Sequence, residues 1–187
     1  SINRIKSLNI FAKVESKTLP GSDPSFKIID LTVEEKPTGE ISLGAGVGTS
    51  GGTIGGGVRE NNFLGKGITL DTNLQVSANN IQGQFTHVKP NFNYTDNTLY
   101  TSVYSSTSDF LSDFGYKTSN LGFSFATSFE QFDNFYFKPE IKTSHEKLET
   151  INTASAAKKK QKGNYFDAYF NYSLDYDQRD KRYRPES

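Results

Sequence analysis

The chain has 187 residues, which is enough for one domain or for parts of two. Its 21 basic and 21 acidic side chains cancel to a formal net charge of zero, which argues against electrostatic capture of nucleic acid. Apolar residues make up only 34% of the chain, yet aromatic residues reach 13%, a composition that fits neither an ordinary globular domain nor a disordered segment. Because the chain has no Cys, it has neither a disulfide framework nor a thiolate metal site.

Residues 1–37 differ in pattern from the rest. Ile5, Leu8 and Phe11 fit the end of a helix that runs into a strand, and the turn formers of Leu19–Pro24 follow. A second strand is predicted from Phe26 to Glu35, where apolar and polar residues alternate. We interpret residues 1–37 as the C-terminal part of a small α+β unit and residues 38–187 as a separate region.

From Gly39 onward the apolar residues recur with a period of two. The clearest example runs from Ile68 to Ala78, and the pattern returns in Leu121–Ala126 and Phe166–Leu174. Counting such segments predicts about eight strands, namely 39–49, 52–62, 66–79, 81–90, 97–108, 117–129, 134–147 and 164–177.

The length of these strands points to a membrane barrel rather than to a soluble sheet. Segments of about ten residues match a tilted crossing of a bilayer, whereas strands of soluble sheets usually have five or six residues. No segment with helical period is present to cover the sheet. One face of each strand would then meet lipid and the other water, which explains the low apolar fraction. A soluble β-sandwich that binds a partner is the alternative.

The connections between the strands are predicted to be of two kinds, which alternate along the chain. Aromatic residues mark compact turns near Phe63, Phe92/Tyr94, Phe129/Phe132 and Tyr176/Tyr183. Polar loops are expected near Ser50, Asn79, Ser105–Lys117 and Thr150–Gly163, the last two of them long. Short turns on one side and longer polar loops on the other are typical of outer-membrane barrels.

The alternation also predicts which side chains meet lipid. The apolar set is expected to face the bilayer, and the polar set is expected to face the lumen. The predicted lipid-facing residues are Leu70, Leu74, Val76, Phe123, Phe125, Phe166, Phe170 and Leu174, and the predicted lumenal residues are Asp71, Asn73, Gln75, Asp167 and Asn171.

Three segments, in this order, resemble motifs of the Omp85 superfamily. They are Val33-Glu34-Glu35-Lys36-Pro37-Thr38-Gly39-Glu40, then Arg59-Glu60-Asn61-Asn62-Phe63-Leu64-Gly65-Lys66-Gly67, and finally Asp175 to Pro185. The resemblance implies a transmembrane antiparallel β-barrel, of which this chain holds the first half of sixteen strands, preceded by the C-terminal part of a periplasmic POTRA domain. It implies location in the bacterial outer membrane, with residues 1–37 in the periplasm.

The resemblance implies that the protein folds and inserts other outer-membrane proteins, without catalysis and without a cofactor. Its partners would be unfolded outer-membrane proteins, lipoproteins of an assembly complex, and outer-membrane lipid or lipopolysaccharide, but not nucleic acid. A polypeptide-secretion pore or a porin-like pore is the alternative. The implied periplasmic turn residues are Glu60, Asn62, Leu64, Gly65, Gly67, Asp177, Arg179, Asp180 and Pro185.

The first strand of the barrel is the expected functional edge. Glycines within a strand weaken it by roughly 0.5–1 kcal/mol each, so a Gly-rich edge is expected to pair poorly and open sideways. An open edge exposes backbone groups on which an incoming strand can form. The other interpretation is that the glycines only permit tight curvature of the barrel or relieve crowding. The predicted lateral-gate residues are Glu40, Ile41, Ser42, Leu43, Gly44, Ala45, Gly46, Val47 and Gly48.

One competing motif lies in the same segment. Gly46, Gly48 and Gly51 have the spacing of a dinucleotide-binding fingerprint. That fingerprint must open a helix, and the Gly-rich residues that follow Gly51 do not favour one. The two histidines, His87 and His145, lie far apart in the sequence, and a metal site is not expected.

Overall fold

The computed structural model describes residues 5–6, 10–23, 25–48 and 51–176. The chain begins with an antiparallel hairpin of β1 (Phe11–Pro20) and β2 (Lys27–Glu35). At its turn the Ser25 hydroxyl and the Ser25 backbone N–H donate to the Asp23 carboxylate, and these bonds hold the pKa of Asp23 below its usual range. Residues 5–6 are helical, and the rest of the helix expected before β1 lies outside the described residues.

All eight predicted barrel strands are present in one antiparallel sheet. In chain order they are β3 (Gly39–Gly48), β4 (Gly51–Phe63), β5 (Ile68–Ser77), β6 (Asn80–Lys89), β7 (Thr98–Phe110), β8 (Tyr116–Phe132), β9 (Phe135–Thr150) and β10 (Gly163–Tyr176). Each strand pairs with the next in the chain, so β3 and β10 are the two terminal strands of the sheet within the described residues.

The connections only partly follow the prediction. Two short helices lie between strands, α1 (Leu111–Phe114) and α2 (Ala156–Lys160), and a single 3-10 turn spans Phe92–Tyr94. The long loop expected over Ser105–Lys117 was wrong, because β7 continues to Phe110 and pairs there with Tyr116. The Lys117 ammonium contacts the Asp109 carboxylate at 3.1 Å and helps to hold these strand ends together. The loop expected over Thr150–Gly163 is present at residues 151–162.

Cross-strand pairing divides the sheet into an apolar face and a polar face, since directly opposed residues share a face. One row on the apolar face follows Leu43, Gly56, Leu74, Gly83, Ser105, Leu121, His145 and Phe166 from β3 to β10. One row on the polar face follows Asn73, Gln84, Tyr104, Gly122, Ser144 and Asp167 from β5 to β10. The predicted lipid-facing and lumenal residues fall on the two faces as expected.

Burial identifies which face is concave. Ala126 and Leu148 are only 3% and 5% exposed, and both lie on the polar face. The large apolar side chains of the other face are open, with Phe166 71% exposed and Leu43 86% exposed. A sheet that curves around its polar face and exposes its apolar face has the arrangement of a membrane barrel wall.

Candidate functional site: the glycine-rich edge and the turn after the next strand

The candidate site begins at β3, the terminal strand of the sheet. Its ten residues pair with β4 from Gly39 opposite Glu60 to Gly48 opposite Gly51. Its other edge carries no neighbouring strand among the described residues. All the predicted gate residues, 40–48, lie on this one strand, and the segment that matched the dinucleotide fingerprint is strand on both sides of 49–50.

The polar face of β3 is almost bare of side chains. Gly44 lies opposite Gly55, and Gly48 lies opposite Gly51. Such pairs lack the cross-strand side-chain contacts that stabilise a sheet by roughly 0.2–1 kcal/mol each. This face borders an open groove of about 500 Å³, which the polar side chains of β5 also line.

The glycines of β3 and those in the middle of β4 have different surroundings. A Cβ added at Gly44, Gly46 or Gly48 would meet no atom within 4 Å. In contrast, a Cβ at Gly56 would lie 2.9 Å from the Leu43 Cδ2, and one at Gly57 would lie 2.9 Å from the Thr72 carbonyl oxygen. Crowding therefore accounts for the glycines in the middle of β4, whereas Gly51 and Gly52 at its start are as open as the glycines of β3.

The apolar face of β3 presents its side chains outward. Ile41, Leu43, Ala45 and Val47 lie on it, and Val47 is 94% exposed. The Leu43 side chain lies over Gly56, where β4 has no side chain of its own. Strand β3 is thus bound to the sheet mainly by its backbone hydrogen bonds and by a thin row of apolar contacts.

The turn after β4 is built by the motif residues that the sequence singled out. The Asn62 Oδ1 accepts a hydrogen bond from the Gly67 N–H at 2.7 Å, and the Glu60 Oε1 accepts one from the Asn62 N–H at 2.7 Å. Leu64, Gly65 and Gly67 have left-handed backbone conformations, with φ values of 56°, 69° and 64°. Two of these three positions are glycine, the residue that adopts this conformation without steric cost.

The same turn is tied to the linker that joins the hairpin to the barrel. The Thr38 hydroxyl donates to Glu60, and the Thr38 carbonyl oxygen accepts from the Asn61 backbone N–H and side-chain amide at 3.3 and 3.2 Å. We call Thr38, Glu60, Asn61 and Asn62 the junction clamp. Sequence reasoning listed Glu60 and Asn62 but missed the roles of Thr38 and Asn61, since nothing in the sequence shows that the linker returns to this turn.

The polar face further along the sheet carries ordered aromatic and cationic contacts. The Tyr104 ring lies on Gly122, where an added Cβ would fall 2.0 Å from the Tyr104 Cζ. The Lys142 ammonium lies 4.8 Å from the same ring, and the Lys138 ammonium lies 4.1 Å from the Tyr100 ring. These contacts make the middle of the sheet a well-packed wall, unlike the bare edge at β3.

Some of the predicted turn residues lie outside the part of the chain that the structure describes. The turn residues Asp177, Arg179, Asp180 and Pro185 lie outside the described residues. Over residues 5–6, 10–23, 25–48 and 51–176, no group of His, Asp and Glu side chains is arranged to hold a metal ion. In the same residues no helix has the length and apolarity needed to cross a bilayer.

Comparison with known proteins places this geometry in a family. The family model described as the Omp85 superfamily domain matches residues 62–187. The chain belongs to the Omp85 superfamily. This is a family of outer-membrane insertion and transport proteins, and the chain is an outer-membrane β-barrel protein. Among curated protein sequences, none matches the chain.

Solved structures agree with the family on the fold. The crystal structure of BamA from Haemophilus ducreyi lacking POTRA domains 1–3 superposes with a TM-score of 0.72 at 20% identity, over 98% of this chain and 38% of that one. CdiB from Escherichia coli gives 0.53 at 13% identity, over 90% of this chain and 33% of that one. CdiB from Acinetobacter baumannii superposes with a TM-score of 0.54 at 12% identity, over 91% of this chain and 34% of that one. The chain therefore spans well under half the length of these relatives.

Proposed function

We propose that this chain is the first half of the barrel of a factor that folds and inserts β-barrel proteins into the outer membrane, and that β3 is its lateral gate. In this proposal residues 1–37 are the end of a periplasmic POTRA domain, and residues 38–187 begin the barrel. The substrates are unfolded outer-membrane proteins, and lipoproteins of an assembly complex are partners. The work is done by exchange of backbone hydrogen bonds and needs no catalytic group.

The observation that carries the proposal is the contrast between the glycines of β3 and the crowded pair Gly56 and Gly57 in the middle of β4. Crowding accounts for Gly56 and Gly57, but the space around Gly44, Gly46 and Gly48 is open. What the glycines of β3 do supply is an edge that lacks side-chain contacts on its polar face. Such an edge separates easily from a partner strand and can template a new one.

The junction clamp supports the same assignment from the periplasmic side. It fixes the linker at Thr38, directly before the first residue of β3. Movement of the periplasmic domain would therefore be transmitted to the start of the gate strand, while Glu60 keeps β4 attached to the linker. The edge can then open without loss of its connection to the wall.

A polypeptide-secretion pore is the second candidate, because the two CdiB structures share the fold with TM-scores of 0.53 and 0.54. A pore of that kind conducts a chain through its lumen and does not need β3 to leave its closing neighbour. Cysteine crosslinks between β3 and the closing strand separate the two functions. An insertase loses its activity when β3 is crosslinked to the closing strand, whereas a secretion pore continues to work.

A further inference from the structure

The apolar face of the sheet changes character at one end of β8, β9 and β10. Along β8 the row on this face passes from Phe125, Phe123 and Leu121 to Ser119 and then to Lys117. On the neighbouring strands the row passes from the pair His145–Phe166 to the pair Lys147–Asn164. The apolar band therefore ends in lysines at the end of the sheet that carries residues 111–115 and 151–162.

These lysines form a connected group with two carboxylates. The Lys117 ammonium lies 3.1 Å from Asp109, and the Lys147 ammonium lies 2.6 Å from Glu149. Lys117 lies opposite Glu149 in the register of β8 and β9. Lys162 directly precedes Gly163, which lies opposite Leu148, so Lys162 comes beside Glu149 as well. We call Asp109, Lys117, Lys147, Glu149 and Lys162 the outer rim cluster, in which three lysines outnumber two carboxylates.

The depth of the cluster matches the head-group layer of a bilayer. Lys147 is two residues beyond His145, the partner of Phe166, which places it about 7 Å further along the strand. The polar layer on each side of a bilayer is roughly 5–8 Å thick. Lysine side chains extend along apolar surface and place their ammonium groups at the polar boundary. The ammonium groups therefore reach the level of lipid phosphates.

The opposite end of the same three strands is built differently. There the apolar face ends in aromatic rings, and Phe129 packs edge-to-face on Phe137 with centroids 5.6 Å apart. The centroid of the Phe135 ring lies 6.4 Å from that of Phe132 and 6.5 Å from that of Tyr176. Within the described part of these three strands no lysine joins this aromatic belt, and such a belt suits an ordinary phospholipid interface. The difference between the two ends matches a membrane whose leaflets differ in head-group charge.

We propose that the outer rim cluster binds the phosphate groups of a phosphorylated glycolipid in the outer leaflet, the chemical class of lipopolysaccharide. The assignment of this end to the cell surface rests on the periplasmic placement of residues 1–37 in the proposed function. Ammonium groups at the edge of the apolar band pair with lipid phosphates, each lysine adding to the attraction. The cluster thus anchors the wall at β8–β10, opposite the loosely held edge at β3.

The test uses the full-length protein in detergent and measures bound lipid by native mass spectrometry. The probe is bisphosphorylated lipid A, and its dephosphorylated form and phosphatidylglycerol are comparison lipids. The rim variant carries Lys117→Gln, Lys147→Gln and Lys162→Gln. The matched control carries Lys27→Gln, Lys66→Gln and Lys89→Gln, which removes the same charge from the hairpin side of the chain. A third variant, with Arg at 117, 147 and 162, keeps the rim charge.

The rim variant is expected to lose lipid A binding by about tenfold or more, while the control and the Arg variant retain it. The unmodified protein is expected to bind lipid A more tightly than either comparison lipid. Equal binding by the rim variant and the control would overturn the proposal. Equal affinity for phosphatidylglycerol, or loss of binding in the Arg variant, would overturn it as well. Lipid binding is measured independently of insertion activity, so the lipid-binding result can still be interpreted if the gate proposal fails.

Discussion

Thr38 and Glu60 join the linker that follows the hairpin to the barrel wall: the Thr38 hydroxyl donates to the same Glu60 oxygen, Oε1, that accepts the Asn62 N–H at 2.7 Å. A single carboxylate oxygen therefore holds the linker and shapes the turn after β4. This explains physically why Glu60 and Asn62 belong together in the motif that the sequence shares with the Omp85 superfamily.

The first prediction concerns this junction clamp. Thr38→Val keeps the size of the side chain but removes the hydroxyl that donates to the Glu60 carboxylate. We expect lower resistance of the linker to limited proteolysis and weaker complementation in cells depleted of the native protein. Thr18→Val, on the exposed strand β1, is the matched control. Unchanged proteolysis in the Thr38 variant would show that the clamp does not hold the linker.

The second prediction compares two glycines. Gly122→Ala would push the Tyr104 ring from its place and disturb its contact with Lys142, at a cost of about 1–3 kcal/mol. Gly44→Ala introduces a methyl group into open space, and its stability is expected to be equal or slightly higher. Urea unfolding of the full-length protein in lipid measures both. Equal destabilisation by the two substitutions would contradict the packing described for the wall and the edge.

The third prediction concerns the two faces of β5. Leu74→Arg places a charge on the lipid face and is expected to destabilise the barrel by roughly 2–4 kcal/mol near mid-depth. Asn73→Arg, on the adjacent residue, points the same charge into the lumen and is expected to cost much less. Folding titrations of the two variants decide the point, and similar losses for both would reverse the assignment of the faces.

Much of this fold could be predicted because lipid on one side and water on the other impose a strict period of two. That constraint ends where a strand leaves the bilayer. The predicted strand 97–108 therefore stops short of Asp109 and Phe110, which extend β7 to meet Lys117 and Tyr116. Contacts between distant segments, such as Thr38 with Glu60 or Tyr104 with Gly122, leave no periodic trace and become visible only when the strands are aligned.

The glycines of the proposed gate strand stand out in the sequence, because Gly44, Gly46 and Gly48 alternate along one strand. The sequence does not show the reason for them. The sequence cannot separate glycines that relieve crowding from glycines that weaken pairing, and the same composition occurs in β4. Only the space around each Cα distinguishes Gly56, packed against Leu43, from the open positions of β3.

The fourth prediction concerns side chains and backbone donors of β3. Leu43→Ala and Val47→Ala are expected to be tolerated, because these side chains face lipid and are widely exposed. Proline removes a backbone N–H, and successive N–H groups of a strand point to opposite neighbours. Ala45→Pro and Gly46→Pro therefore remove donors from opposite edges of β3, and both are expected to impair growth. In a complementation assay, loss of function with Leu43→Ala and full function with both proline variants would contradict a backbone mechanism.

The central claim is that β3 must separate from the strand that closes the barrel. The described chain has no native cysteine to interfere, so a disulfide can be engineered between Ser42 or Ala45 and the closing strand of the full-length protein. The measurement is growth and outer-membrane protein content in depleted cells, with the crosslinked fraction checked on the same samples and with reductant added as the reversal. The account predicts that the crosslink abolishes both and that reduction restores them. Full rescue by the intact crosslinked protein would contradict it and leave the glycines of β3 as devices for curvature.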